Sequence, residues 1–213
     1  MDILETYLTQ YKIYNNKNLI YILETKINIT SNHIKNIKFT WKNEPIKILI
    51  LFEKYGYIFT EDDYKYIVDK YPSILECIPD DKKTDEICKI AVQNYGLILQ
   101  YIPDDKKTDE ICKIAIQQNE NALAYVPDDK KTDELCKMAI QKNELALRHI
   151  PDNKKTDELC EFAVRLSGLA LRCVPENKKS ERLCKIAVDQ YPETLKYVPK
   201  DIRIKLLINI KIE

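Results

Sequence analysis

Cysteine, histidine and paired lysine are the residues in this chain whose types could carry chemistry. Five of the seven cysteines, Cys88, Cys112, Cys136, Cys160 and Cys184, recur every 24 residues, and five lysine pairs keep the same interval. The pairs are Lys82 and Lys83, Lys106 and Lys107, Lys130 and Lys131, Lys154 and Lys155, and Lys178 and Lys179. Thiolates can hold zinc or act as nucleophiles, and rows of ammonium groups can follow a phosphate backbone. The thiol reading fails on distance. Zinc wants sulfurs about 2.3 Å from one ion, equivalent residues on stacked helices stand about 8 to 10 Å apart, and no C-x-x-C pair occurs. Small buried core thiols are the expected role, with neither a metal site nor a cofactor. His33 sits in a polar stretch, and His149 replaces a tyrosine found in other units; neither belongs to a catalytic motif, so no catalytic residue is assigned. The carboxylate pair Asp80 and Asp81 recurs beside the lysines and reads as loop structure.

A strict interval demands a repeated element. Prolines stand at Pro79, Pro103, Pro127, Pro151, Pro175 and Pro199, and five units follow P-[DE]-[DN]-K-K-[TS]-[DE]-[ER]-[IL]-C-[KE]-[IMF]-A-[VI]. Residues 60 to 78 keep the register without the opening proline and lysines, as a degenerate further unit. Within a unit, Ile87, Ile90 and Ala91 recur at helical spacing, with Cys88 and Val92 beside them. Thr84, Thr108, Thr132, Thr156 and Ser180 stand where an N-cap belongs, followed by acids that suit the positive end of the helix dipole. Pro72 and Pro192 share one register position with Glu120 and Glu144, which predicts a second, shorter helix, partly 3₁₀, capped by Asn119, Asn143 and Ser167. It must stop before the next proline. So small a unit cannot bury its own apolar face, and its neighbours must stack. The fold class is therefore all-α: an α-solenoid of two-helix, 24-residue repeats with helical caps.

These units resemble the short α-helical tandem repeats of a domain-of-unknown-function family common in mimivirus-like giant DNA viruses. The junctions Leu99-Gln100-Tyr101-Ile102-Pro103 and Leu195-Lys196-Tyr197-Val198-Pro199 carry the resemblance, which covers residues 60 to 199. It implies an architecture and transfers no active site. The unit length also has a geometric likeness to the leucine-rich repeat variant, in which a short α-helix alternates with a 3₁₀ helix. The richness in Ile, Lys, Asn and Tyr suits an AT-rich viral genome.

The domain reading is residues 1–59 as an N-terminal helical cap or small adaptor, 60–199 as the array (60–78 degenerate, 79–198 regular), and 200–213 as a C-terminal cap. Helices are expected near Asp2 to Tyr14, Lys17 to Lys26 and Pro45 to Tyr55. Residues 201–211 read as a helix, although Ile202, Ile204, Leu206, Ile208 and Ile210 also alternate like a strand. The start MDILETYLTQ lacks the features of a secretory signal, so the mature chain is expected to begin there, and no apolar run reaches the roughly 20 residues that cross a bilayer. An odd cysteine count and a periodic cysteine placement suggest a reducing, intracellular setting, either host cytoplasm or virion.

Lysine and arginine total 34, matched by 34 acids, which argues against a protein that coats nucleic acid. Three glycines are too few for phosphate-cradling loops. The expected function is a non-enzymatic protein-protein interaction scaffold. Its partner, another protein, would meet the variable row Gln100, Ala124, Arg148, Arg172 and Lys196 near the end of each second helix. The alternative is a nucleic-acid-binding repeat protein that uses the lysine ladder, with Tyr95, Tyr101 and Tyr125 for stacking. The acids beside each pair weaken that field. Oligomeric state and superhelix hand are not readable from the pattern.

Overall fold

The computed structural model describes residues 58–210, all of whose regular elements are helical. The helices expected near Asp2, Lys17 and Pro45, and the cap or adaptor role of that segment, lie outside the described residues. The chain separates into two compact units, Met1–Ala91 and Val92–Glu213.

The described part of the first unit opens with α1 (Glu61–Lys70). Thr60 forms a capping box with Asp63: the Thr60 hydroxyl accepts from the Asp63 N–H at 3.2 Å, and Asp63 Oδ2 accepts from the Thr60 N–H at 3.0 Å. Thr60 occupies the register of Thr84, so the degenerate unit keeps the helix start of the regular ones. A 3₁₀ segment, Pro72–Cys77, follows with proline in its first turn and buries Ile74 and Leu75. Helix α2 (Asp85–Asn94) carries the boundary between the units, and its Ile87 N–H donates to Thr84 Oγ1 at 3.4 Å.

In the second unit one pattern recurs. Helices α3 (Asp109–Gln118), α4 (Asp133–Lys142), α5 (Asp157–Leu166) and α6 (Glu181–Gln190) are each ten residues long. Each is capped as expected: Thr108, Thr132, Thr156 and Ser180 accept from the backbone N–H three residues on. The second helix of every unit is a full six-residue 3₁₀ segment: Gly96–Tyr101, Glu120–Tyr125, Glu144–His149, Gly168–Cys173 and Pro192–Tyr197. Asn119 and Asn143 cap theirs, accepting from Asn121 and Leu145. Ser167, buried at 8% exposure, makes no side-chain cap bond. A further three-residue 3₁₀ turn, such as Asp104–Lys106, links each proline to its lysines.

Successive helices from α3 to α6 pack in order, and α6 also touches α7 (Lys200–Ile210), which settles the C-terminal ambiguity as a helix with Leu206 buried. The core is laddered. Ala115, Ala139, Ala163 and Ala187 are wholly buried, and so are Leu99, Leu123, Leu147 and Leu171 of the 3₁₀ segments. The small alanine lets the preceding 3₁₀ segment come close. A Cβ on Gly96 would meet Ala115 O at 2.4 Å, and one on Gly168 would meet Ala187 O at 2.6 Å. Both glycine N–H groups donate across the junction, Gly96 to Gln118 Oε1 at 2.7 Å and Gly168 to Gln190 Oε1 at 2.8 Å. Where glutamate begins the segment the junction changes chemistry, and Asn143 Nδ2 donates to Glu120 Oε1 at 3.2 Å.

Gly168→Ala forces a methyl group against the α6 backbone and is expected to lower stability by about 1–3 kcal/mol in urea unfolding. Glu120→Ala loses only side-chain bonds at the same register and should cost about 1 kcal/mol or less.

Candidate functional site

The two lysines of each pair have separate fates. The second of each, Lys83, Lys107, Lys131, Lys155 and Lys179, is buried at 5–8% exposure. An ammonium in such a place needs fixed oxygens. Each finds the first acid of its own loop: Lys83 with Asp80 at 2.7 Å, Lys107 with Asp104 at 2.8 Å, Lys131 with Asp128 at 2.7 Å, Lys155 with Asp152 at 2.8 Å, and Lys179 with Glu176 at 2.5 Å. Lys107 and Lys179 also donate to the carbonyls of Tyr125 and Tyr197, both at 2.9 Å, and so tie the start of a unit to its end. The Lys107 ammonium holds the Asp104 carboxyl below its ordinary range.

The first lysine of a pair reaches backward along the array. Lys130 Nζ donates to Asp104 O at 2.5 Å and Lys107 O at 3.1 Å, and Lys154 Nζ to Asp129 O at 3.4 Å and Lys131 O at 3.3 Å. Lys178 pairs with Asp157 at 2.8 Å. Lys82 pairs with its neighbour Asp81 at 2.9 Å, and Lys106 is half-buried. The expected basic stripe is therefore largely spent on the fold. This was not visible in the pattern, since a paired K-K reads alike whether it faces water or carbonyls.

Exposed ion pairs add a second ladder. Lys113 meets Glu134 at 2.8 Å and Lys137 meets Glu158 at 2.6 Å, each between one helix and the next. At the following step the charges are exchanged: Glu161 takes the lysine position, Arg182 takes the acid position, and they meet at 2.9 Å. Asp157, Glu161, Lys178 and Arg182 share a polar cavity of about 250 Å³ whose charges already satisfy one another.

Cys88, Cys112, Cys136, Cys160 and Cys184 are buried, while Cys77 is exposed and Cys173 half-buried. Burial pushes the thiols of Cys112, Cys136 and Cys184 up to about 11, so they are protonated and poor nucleophiles at neutral pH. Cys88 Sγ and Cys112 Sγ lie 3.8 Å from the carbonyls of Lys83 and Lys107. Among the described residues no cluster of three or more His, Cys, Asp or Glu is arranged to hold a metal ion.

The variable row lies where the register places it. Gln100, Ala124, Arg148, Arg172 and Lys196 are all exposed, each at the fifth position of its 3₁₀ segment and directly after a leucine that is buried in the first four and half-buried, as Leu195, in the last. Beside the row runs a half-exposed column of Tyr101, Tyr125, His149, Cys173 and Tyr197. Arg148 is held in place, with Nε donating to His149 Nε2 and Nη2 to Asn121 Oδ1 of the preceding unit, both at 3.0 Å. Lys196 lies over the Tyr197 ring, 4.9 Å from its centroid. Arg172 has no hydrogen bond or ion pair among the described residues. Charge also shifts along the chain: residues 60–126 hold eight basic and fourteen acidic residues, and 127–210 hold seventeen and fourteen.

A domain of unknown function (DUF4116) matches residues 62–105, 86–130 and 108–154 in overlapping copies. The matches together cover residues 62–154 and support a tandem-repeat family of unknown function. No curated protein and no solved structure matches the chain. No helix among the described residues is long and apolar enough to cross a membrane.

Two outcomes are expected here. Lys107→Met leaves the Tyr125 carbonyl without its donor and should cost about 1–3 kcal/mol in urea unfolding, whereas Lys82→Met should change the midpoint little. Burial, then the charges of Arg148 and Lys131, lowers the His149 pKa from its ordinary 6.5, so the unfolded chain binds the proton more readily. Stability from this group is intact above 6.5 and falls as pH drops from there towards the lower folded value. Melting temperatures at about pH 7.5 and 5.5 should therefore differ more for the native chain than for His149→Tyr, which restores the residue of the other units.

Proposed function

We propose that this chain is a non-enzymatic scaffold that presents the 3₁₀ edge of its repeats to another protein. One observation carries the reading: at the fifth position of each 3₁₀ segment an exposed residue changes from Gln100 to Ala124, Arg148, Arg172 and Lys196, while the neighbouring leucines are unchanged. A constant backbone with one free choice per unit is how a solenoid acquires specificity. The reactive side chains point the same way, since the periodic thiols are buried, with those of Cys112, Cys136 and Cys184 held protonated, and the second loop lysines are paired. The lysine-ladder alternative has less support, because its five second lysines are buried and engaged by loop oxygens.

The scaffold belongs, in this reading, to a giant DNA virus and works in a reducing compartment. The richness in Ile, Lys, Asn and Tyr, which suits an AT-rich genome, and the free cysteines support that setting. Residues 1–59 cap the array or act as an adaptor, residues 60–199 form the array, and 200–213 close it, with α7 covering α6. The alternation of α-helix with 3₁₀ helix supports the geometric likeness to the leucine-rich repeat variant.

The triple substitution Arg148→Glu, Arg172→Glu, Lys196→Glu should abolish capture of the physiological partner in a pull-down from infected cells while the melting temperature stays within a few degrees. Retained capture would overturn the surface assignment. Labelled single- and double-stranded nucleic acid, titrated at about 50 and 200 mM salt, should show no steep salt-dependent binding; micromolar binding with such a slope would promote the lysine alternative.

A further inference from the structure

The cationic end of the variable row is spaced for a particular ligand. Arg148, Arg172 and Lys196 occupy identical positions in three consecutive units, whereas the upstream positions are the uncharged Gln100 and Ala124. Packed helices stand about 8 to 10 Å apart, so the three cations step along the edge at about that interval. A polyproline II chain turns once every three residues and advances about 9.3 Å per turn. One side chain in three then meets one unit of the array. A β-strand presents every second residue at about 6.6 Å and drifts out of register.

The edge also supplies what such a chain needs besides charge. His149, Cys173 and Tyr197 form the half-exposed column beside the cations, and Leu145 and Leu169 are half-buried on the same segments. Aromatic and apolar flanks are the usual seat for the rings of a polyproline II ligand. The cations are organised beforehand: Arg148 by His149 and Asn121, and Lys196 by the Tyr197 ring. Arg203 Nη2 fixes the backbone beneath Lys196, donating to Lys196 O at 3.2 Å and Val198 O at 2.9 Å. Resting on the scaffold reading above, we infer that the 3₁₀ edge from Arg148 to Lys196 binds an acidic polyproline II segment of a partner protein, with a carboxylate at every third residue.

A nucleic-acid strand fits the same edge less well. One cation per 8 to 10 Å faces about one phosphate per 3.4 Å of each duplex strand, and tight phosphate binding uses about six to ten contacts. Glu144 and Glu193 on the same segments would repel a continuous polyanion but can be avoided by a ligand with spaced charges.

Fluorescence anisotropy on the full chain tests the inference with four probes: labelled (Glu-Pro-Pro)₃, the neutral (Gln-Pro-Pro)₃, a peptide of equal charge with glutamate at every second residue, and single-stranded oligothymidylate. The first should bind with a sub-millimolar Kd, about tenfold or more tighter than the neutral and respaced peptides, and Arg172→Gln should weaken it about three- to fivefold. Equal binding of the respaced peptide overturns the register, and tighter, Arg172-dependent binding of oligothymidylate overturns the peptide class. Absence of peptide binding overturns the inference alone if charge reversal still abolishes partner capture. If charge reversal leaves capture intact as well, the scaffold surface falls with it.

Discussion

A buried ammonium group in every loop is the constraint around which this array is arranged. Taking lysine out of water costs several kcal/mol unless oxygens replace the lost hydration, and those oxygens must be held in place before the charge arrives. The P-[DE]-[DN]-K-K loop supplies them. Its proline and short 3₁₀ turn set the first acid three residues before the second lysine, within 2.5–2.8 Å of Nζ in all five units. The remaining partners are carbonyls at the far end of the same unit, reached by Lys107 and Lys179. In the stack, the first lysines Lys130 and Lys154 bond the preceding loop, contacts that a lone unit lacks. Loop closure and unit stacking thus depend on one another, which is what turns a 24-residue segment into an obligate repeat.

The thiol column is buried beside the loops. The small thiols fit buried positions at the foot of the lysine loops, where Cys88 and Cys112 Sγ lie 3.8 Å from the carbonyls of Lys83 and Lys107. The position is dry, so the proton stays on sulfur. Packing chemistry explains the periodic cysteines without calling on their reactivity.

Much of this fold could be read from the order of residues alone. A fixed interval with proline, a hydroxyl cap and apolar residues at helical spacing defines the α-helix, and its ends agree with Thr108, Thr132, Thr156 and Ser180 as caps. The 3₁₀ segments and the exposed fifth-position row were legible for the same reason. What escaped was chemistry between positions that a 24-residue alignment never places side by side. Glu161 and Arg182 look like two independent departures from consensus, yet they sit 21 residues apart in the contact that joins Lys113 to Glu134 and Lys137 to Glu158 elsewhere. The burial of one lysine in each pair escaped too, since composition reports charge and not which oxygen receives it. Ser167 has a suitable residue type and stands at the N-cap position, yet its hydroxyl makes no cap bond, which nothing in the structure explains.

This division of labour bears on where variation can accumulate. In a 3₁₀ segment the third and fourth residues face the core: Ile98 and Leu99, Ala122 and Leu123, Ala146 and Leu147, and Ala170 and Leu171 are all at or near zero exposure. Changing them opens cavities or strains the junction. The second lysine of each loop is constrained as well, because removing its exposed acid strands a buried ammonium. The fifth position lies outside the core and the loop pairs and follows a leucine, and the bond it makes to a neighbouring unit, Arg148 to Asn121, is an exposed one. A change there alters the surface without disturbing the stack, so selection for a partner can act on Arg148, Arg172 and Lys196 while the fold stays silent. The three glutamines of such a row, or three arginines, would fold alike and bind differently.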